Sequence, residues 1–160
     1  MFWLIRGHYI TKSNYLANFI HLHKKIYLGG RTLSDQEFAI GDIVTGIYKT
    51  GKYIGEITAI KEEHYLVKIK SVLRHPLQGD IHTPKQVDVP IFHERRALAC
   101  NEQANIPQKM VHRYEGKIKD YHESLGEALS SMKKDLEAEN SEWSKRCLQN
   151  IASLEKDYFG

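Results

Sequence analysis

The histidine-rich middle of the sequence comes closest to the composition of a metal site. Imidazole and carboxylate groups recur there within a short stretch, at His75, Asp80, His82, His93 and Glu94. A zinc site needs such ligands brought to one point, whereas scattered loop histidines more often cap turns or face water. The sequence therefore predicts neither a metal site nor a bound cofactor.

Enzyme signatures are absent from the sequence. It contains no phosphate-cradling glycine loop, no Gly-x-Ser-x-Gly elbow and no His-Glu-x-x-His helix. Cys100 follows the histidine-rich stretch, but without an identifiable activating partner we interpret it as a small buried side chain rather than a nucleophile. We therefore predict that the protein is not an enzyme and has no catalytic residues.

Composition restricts the class of protein further. The chain has 160 residues, of which 41% are hydrophobic and 27% charged, and two of them are cysteines. These values are typical of one folded domain rather than of a disordered or collagen-like chain. Two cysteines are too few for a disulfide framework, and no stretch supplies the roughly twenty apolar residues of a membrane span. We expect a reduced, cytoplasmic protein.

The net charge of +3 is unevenly distributed along the chain. Five basic residues precede the first acidic residue, Asp35, and they are Arg6, Lys12, Lys24, Lys25 and Arg31. The remainder carries a charge of −2. Its charge therefore does not indicate a nucleic-acid-binding domain.

Residues 1–33 are interpreted as an N-terminal extension outside the fold. The codons of Leu28-Gly29-Gly30 can contain a ribosome-binding sequence, and the codon of Leu33 can serve as an alternative start. The segment would then be an upstream extension of the reading frame, and it is excluded from fold reasoning. Alternatively, its aromatic and basic residues form a helix that lies on a surface.

Residues 34–104 are predicted to form a small SH3-like β-barrel. Runs of β-branched and aromatic residues at 43–48, 53–60 and 65–73 read as antiparallel strands, and Gly55 suggests a bulge. A long connection over 74–90 precedes a further strand at 94–100. Five short strands with one long loop favour this barrel. An oligonucleotide-binding barrel is the alternative.

Residues 105–160 are predicted to form a helical subdomain, so the fold class is mixed β plus α. Asp120 begins the first helix, and Asn140 caps the second. Apolar residues recur at helical spacing, at Tyr121, Leu125, Leu129, Met132 and Leu136, and then at Trp143, Cys147, Ile151, Leu154 and Tyr158. Gly126 lies inside the first helix, where it suggests close approach to a neighbour.

Two surfaces could recognise a partner. The predicted strands carry lysines and tyrosines, a composition that could bind RNA. These residues are Lys52, Lys61, Lys68, Lys70, Tyr48, Tyr53 and Tyr65. Glutamates interleave with the lysines, however, and favour a strand face that is simply exposed to solvent. The string Phe92-His93-Glu94-Arg95-Arg96 has the composition of a protein interface, or of a brace between barrel and helices.

Several strings resemble those of the kinase-associated protein B family of spore-forming bacteria. They are Gly41-Asp42-Ile43-Val44, Tyr48-Lys49-Thr50-Gly51, Tyr53-Ile54-Gly55-Glu56, His75-Pro76, Gln78-Gly79-Asp80, Val89-Pro90, Phe92-His93-Glu94-Arg95-Arg96-Ala97-Leu98, Tyr114-Glu115-Gly116, Asn140-Ser141-Glu142 and Lys156-Asp157-Tyr158-Phe159. The string from Phe92 to Leu98 is the most specific. The resemblance implies a non-catalytic accessory protein that supports a membrane sensor histidine kinase in the sporulation phosphorelay.

The same resemblance implies recruitment to the inner face of the membrane through a partner. The family is described as lipoprotein-like, but Cys100 lies mid-chain, so we do not expect lipidation. Because loops on a rigid barrel commonly carry recognition, we predict a partner-binding surface made of His75, Pro76, Gln78, Gly79, Asp80, His82, Phe92, His93, Glu94, Arg95 and Arg96. RNA binding through the barrel is the alternative function.

Overall fold

Five antiparallel strands and two helices lie within residues 38–160, the part of the chain that the structure, a computed structural model, describes. The elements are β1 (Ile43–Tyr48), β2 (Gly51–Ile60), β3 (His64–Arg74), β4 (Gln103–Pro107), a 3-10 helix (Gln108–Met110), β5 (Val111–Arg113), α1 (Tyr121–Glu139) and α2 (Glu142–Phe159). The predicted extension at 1–33 lies outside the described residues. No helix within 38–160 is long and apolar enough to cross a membrane.

The sheet is strongly curled. Its strand order is β4-β3-β2-β1-β5, so β4 and β5 are the edge strands although a single 3-10 turn joins them. A flat sheet would separate these edges by about 19 Å, whereas the step from Pro107 to Val111 spans at most about 14 Å. No ladder pairs β4 with β5 among the described residues. The predicted β plus α class is confirmed, while the sheet is open rather than a closed barrel.

Strands β2 and β3 follow the sequence pattern closely. Tyr65, Val67 and Ile69 are buried, and the intervening Leu66 and Lys68 are only partly so. The pairing register shifts between Ile54 and Gly55, which confirms the predicted bulge. A Cβ on Gly55 would lie 2.5 Å from the carbonyl oxygen of Lys68, so only glycine fits there.

The prediction of a strand at 94–100 is wrong, because the structure has no strand there. The fourth strand is β4, and the sheet continues to Arg113, beyond the boundary expected at 104. Ala104 and Ile106 of β4 alternate with polar residues, but β4 has only five residues and β5 only three, which is too short for a clear sequence signal. The backbone groups of Arg95, Ala97 and Leu98 bond to side chains instead, as described below.

The helices begin and end much as predicted. Asp120 caps α1, its Oδ1 accepting from the amides of His122 at 2.9 Å and Glu123 at 3.2 Å. The prediction that Asn140 caps the second helix is wrong: Asn140 ends α1 in the left-handed conformation, with φ 47°, and Ser141 caps α2. A two-residue connection needs one residue to close the first helix and another, in extended geometry, to open the second.

The helices pack in layers over the sheet. The amide of Val72 in β3 donates to Ser124 Oγ in α1 at 3.0 Å, which ties the helix to the strand. α2 packs on α1 and on residues 75–102, which connect β3 to β4 and are called the central loop. Cys147 Sγ lies 4.0 Å from the Gln78 carbonyl oxygen, so the central loop covers α2 directly.

Gly126 does not mark a close approach, contrary to the prediction. A Cβ there would meet only the Phe159 ring, at the ordinary contact distance of 3.8 Å. Gly126→Ala should therefore stabilise the protein by up to about 1 kcal/mol, through the higher helix propensity of alanine. Thermal unfolding checks this, with Gly55→Ala as the destabilised comparison. A lower melting temperature for Gly126→Ala would contradict it.

Candidate functional site

The predicted partner-binding residues all lie on the central loop, but only part of them reach the surface. His75, Pro76, Gln78 and Gly79 are buried. Asp80, Phe92 and Arg95 are half-buried, and the exposed residues are His82, His93, Glu94 and Arg96. The buried members hold the loop together, while the exposed ones remain available to a partner.

His75 is a structural histidine. Its Nδ1 lies 3.0 Å from the Pro76 carbonyl oxygen and its Nε2 3.2 Å from the Tyr158 hydroxyl. A carbonyl oxygen can only accept, so Nδ1 donates and Nε2 accepts from the hydroxyl. Burial lowers the pKa of His75 to about 4, which keeps the ring neutral.

Gln78 fastens the two halves of the central loop together. Its Nε2 donates to the carbonyl oxygens of Pro76 at 3.0 Å and Arg95 at 2.9 Å, and its Oε1 accepts from the Arg95 amide at 3.0 Å. The Gly79 amide donates to the His93 carbonyl oxygen at 2.9 Å. Arg95 Nε in turn donates to the Gly79 carbonyl oxygen at 3.2 Å.

Three tyrosines hold the next two residues of the loop. The Ala97 amide donates to the Tyr158 hydroxyl at 2.8 Å, and the Leu98 amide donates to the Tyr53 hydroxyl at 3.3 Å. The Tyr121 hydroxyl donates to the Leu98 carbonyl oxygen at 2.7 Å. Burial raises the pKa of Tyr53 to about 12, so its hydroxyl stays protonated. Side chains from β2, α1 and α2 thus take the place of a neighbouring strand.

The string from Phe92 to Arg96 has features of both roles predicted for it, a brace and a protein interface. Arg96 Nη1 bonds Asp157 Oδ2 of α2 at 2.8 Å, and its guanidinium lies 5.4 Å from the centre of the Tyr158 ring. The Arg146 guanidinium lies over Phe92 at 4.6 Å. These contacts brace the loop against α2, while His93 and Glu94 face outwards.

A pocket of about 190 Å³ opens between this string and the turn that joins β1 to β2. It contains three cationic side chains and one carboxylate, and it is lined by Tyr48, Lys49, Tyr53, Pro76, Glu94, Arg95, Arg96 and Leu98. We call it the charged pocket. The sequence analysis did not include Lys49 among the partner-binding residues. The contact between that turn and the string joins residues that are remote in sequence.

A second cavity, of about 360 Å³, contains none of the predicted site residues. It lies between the end of β3, the segment before α1 and α1 itself. Lys119 at its edge is paired with Glu127 at 2.6 Å. Its lining combines apolar residues, among them Ile54, Val72 and Ala128, with serines and charged side chains.

Residues 38–160 contain no cluster of metal ligands. No three side chains of His, Cys, Asp or Glu come together there as a metal would require. Asp80 accepts from the His82 amide at 2.9 Å, and this bond lowers the pKa of Asp80. The interpretation of Cys100 as buried is wrong, since it lies exposed at a turn beside Asn101, whereas Cys147 is buried.

The tyrosines proposed for RNA stacking lie mostly in the core. Tyr53 is 1% exposed and Tyr65 is 7% exposed, so neither ring can stack on a base. Lys70 lies 3.7 Å from Glu56, and Lys61 donates to Asn105 at 2.7 Å. The strand face is thus a solvated surface with internal partners.

Comparison with known proteins gives consistent matches. The family model described as "Kinase associated protein B" matches residues 48–159. "Kinase-associated lipoprotein B" of Bacillus subtilis (strain 168) is 60% identical over 122 residues, which are 76% of this chain and 95% of that protein. A crystal structure of kinase-associated protein B from Bacillus cereus is 49% identical, covers 76% of this chain and 98% of its own, and has a TM-score of 0.68.

Proposed function

The chain belongs to the kinase-associated protein B family, and from this premise we propose that it is a non-catalytic accessory protein of a membrane sensor histidine kinase that feeds the sporulation phosphorelay. The observation that carries the proposal is the 60% identity to a kinase-associated relative over 95% of that relative's length. A direct protein contact at the inner face of the membrane is the mode of action that we propose.

The central loop supports a binding role rather than a chemical one. The buried histidine of the loop, His75, is used in the fold, since it bonds at both ring nitrogens. Exposed Leu77, Ile81 and Ile91 alternate along the same loop with polar residues. Apolar residues rimmed by charge are a composition that suits a protein partner.

Capture of the kinase tests the proposed function. The tagged full chain, expressed in sporulating Bacillus subtilis cells and cross-linked before lysis, should enrich a sensor histidine kinase at least tenfold over the tag alone. Nuclease treatment should leave the enrichment unchanged. Enrichment of ribonucleoproteins without a kinase would contradict the proposal and favour the RNA alternative.

Incubation with labelled ATP tests the non-catalytic part separately. The purified chain alone should acquire no label, whereas a histidine kinase added to the same tube should label itself. Transfer of phosphate to the isolated chain would contradict the proposed accessory role. A catalytically dead kinase in place of the active one controls for contaminating activity.

A further inference from the structure

Among residues 38–160, two basic side chains that line the charged pocket have no acidic partner. Within residues 38–160, no carboxylate lies within salt-bridge distance of Lys49 or Arg95. Arg95 donates from Nε to a backbone oxygen, and Lys49 lies 5.6 Å from the centre of the Tyr48 ring. Arg96 is already neutralised by Asp157 at 2.8 Å. The charges of the lining and of Asp157 therefore leave an excess of one positive charge.

The size of the pocket restricts what it can hold. Its volume of about 190 Å³ falls below the roughly 300 to 1,000 Å³ of pockets for small molecules and cofactors. A single side chain is therefore a better fit than a metabolite. One positive charge in excess matches one carboxylate, whereas a phosphate dianion would remain half neutralised.

The rim of the pocket adds an apolar contact. The Leu77 amide donates to Thr50 Oγ1 at 2.9 Å, which holds Leu77 beside the β1–β2 turn. Leu77 is 46% exposed, and its neighbour Pro76 lines the pocket. A partner segment that places an acidic residue in the pocket would therefore bring its next residue over an apolar surface.

We infer that the charged pocket binds the carboxylate of an aspartate or glutamate side chain, next to an apolar residue, on the partner protein. This inference rests on the proposed function, because the partner is the kinase proposed above. Lys49 supplies the charge at the mouth, and Arg95 supplies planar donors from inside. Glu94 and the Arg96–Asp157 pair set the charge balance that selects one carboxylate.

Lys49 is the residue of choice for the test. It is exposed, it has φ 53°, and within 38–160 its amine makes no hydrogen bond. Asparagine tolerates this left-handed backbone better than other residues, so Lys49→Asn should remove the charge and leave the fold intact. Lys134→Asn is the matched control, since Lys134 is exposed on α1, away from the pocket.

The probes are two blocked dipeptides, N-acetyl-Leu-Glu-amide and N-acetyl-Leu-Gln-amide, titrated into the isotope-labelled full chain at constant ionic strength. The glutamate peptide should shift the amide resonances of Lys49 and Leu98 saturably, and both the glutamine peptide and Lys49→Asn should weaken binding at least tenfold. Lys134→Asn should bind as the unmodified chain does. Equal binding of both peptides, or no shift at these amides, would overturn the inference.

Two further measurements test whether the pocket prefers another negatively charged ligand, inorganic phosphate or an anionic membrane surface, to a carboxylate. Inorganic phosphate that binds more tightly than the glutamate peptide would overturn the choice of a carboxylate. Sedimentation with phosphatidylglycerol vesicles that depends on Lys49 would assign the pocket to a membrane surface instead.

Kinase capture by Lys49→Asn distinguishes the inference from the proposed function. A tenfold loss of capture supports both. Unchanged capture overturns the inference and leaves the proposed function standing, whereas failure of the unmodified chain to capture a kinase refutes the proposed function. In that last case a positive peptide titration still supports a carboxylate pocket, and a negative one overturns it.

Discussion

Replacing Trp143 with alanine is expected to lower the free energy of unfolding by about 3 to 5 kcal/mol. Trp143 is 7% exposed and lies where α2 meets the central loop. A Cβ on Gly79 would lie 3.3 Å from the Trp143 indole nitrogen and 2.9 Å from the Phe92 ring, so the loop fits closely over the indole. Removing the indole leaves a cavity that this bonded loop cannot readily fill.

Chemical denaturation followed by circular dichroism measures this cost. Trp143→Phe is the matched control, because it keeps an aromatic ring and removes an indole N–H that has no hydrogen-bond partner within the described residues. Its loss should therefore be clearly smaller than that of alanine. An unchanged denaturation midpoint for Trp143→Ala would mean that the indole is exposed in solution and available to a partner.

Acidification is expected to destabilise the protein through His75. The pKa of this ring is about 4 in the folded protein, because of burial, against 6.5 for the ordinary group. Between these values the unfolded chain binds a proton that the folded protein does not, so stability falls as the pH decreases from 6.5 towards 4. From pH 7 to pH 4.5 the loss from this residue alone should be roughly 2 to 3 kcal/mol.

His75→Gln isolates that contribution. Glutamine can still donate and accept hydrogen bonds but does not titrate. The stability of the variant should therefore change less between pH 7 and pH 4.5 than that of the unmodified chain. The lowered pKa values of Asp42 and Asp80 affect both proteins alike and cancel in the comparison. Parallel pH profiles for the two proteins would show that His75 is protonated without cost.

The sequence predicted the strands and helices whose apolar residues follow a regular spacing along the chain. The run of β-branched and aromatic residues at 65–73 gave β3, and the spacing from Tyr121 to Leu136 gave the buried face of α1. These patterns depend on neighbours within one turn or one strand. They were sufficient for β1 to β3, both helices and the bulge at Gly55.

The candidate site depends on contacts that no local pattern contains. A strand was predicted at 94–100, yet the backbone of 95–98 bonds to Gln78 and to three tyrosines from other elements. His75 and Gln78 looked like surface residues because polar side chains in loops usually are. In the fold, both make hydrogen bonds to groups remote in sequence, His75 to the Tyr158 hydroxyl and Gln78 to the Arg95 backbone.

The tyrosine contacts to Ala97 and Leu98 also determine when this segment can form. Their hydroxyls come from residues 61, 45 and 23 positions away along the chain, on α2, β2 and α1. Long-range contacts of this kind form slowly, because the intervening chain must first be ordered. We therefore expect the central loop to order late in folding, after the sheet and both helices have met, so that the wall of the charged pocket is completed in that late step.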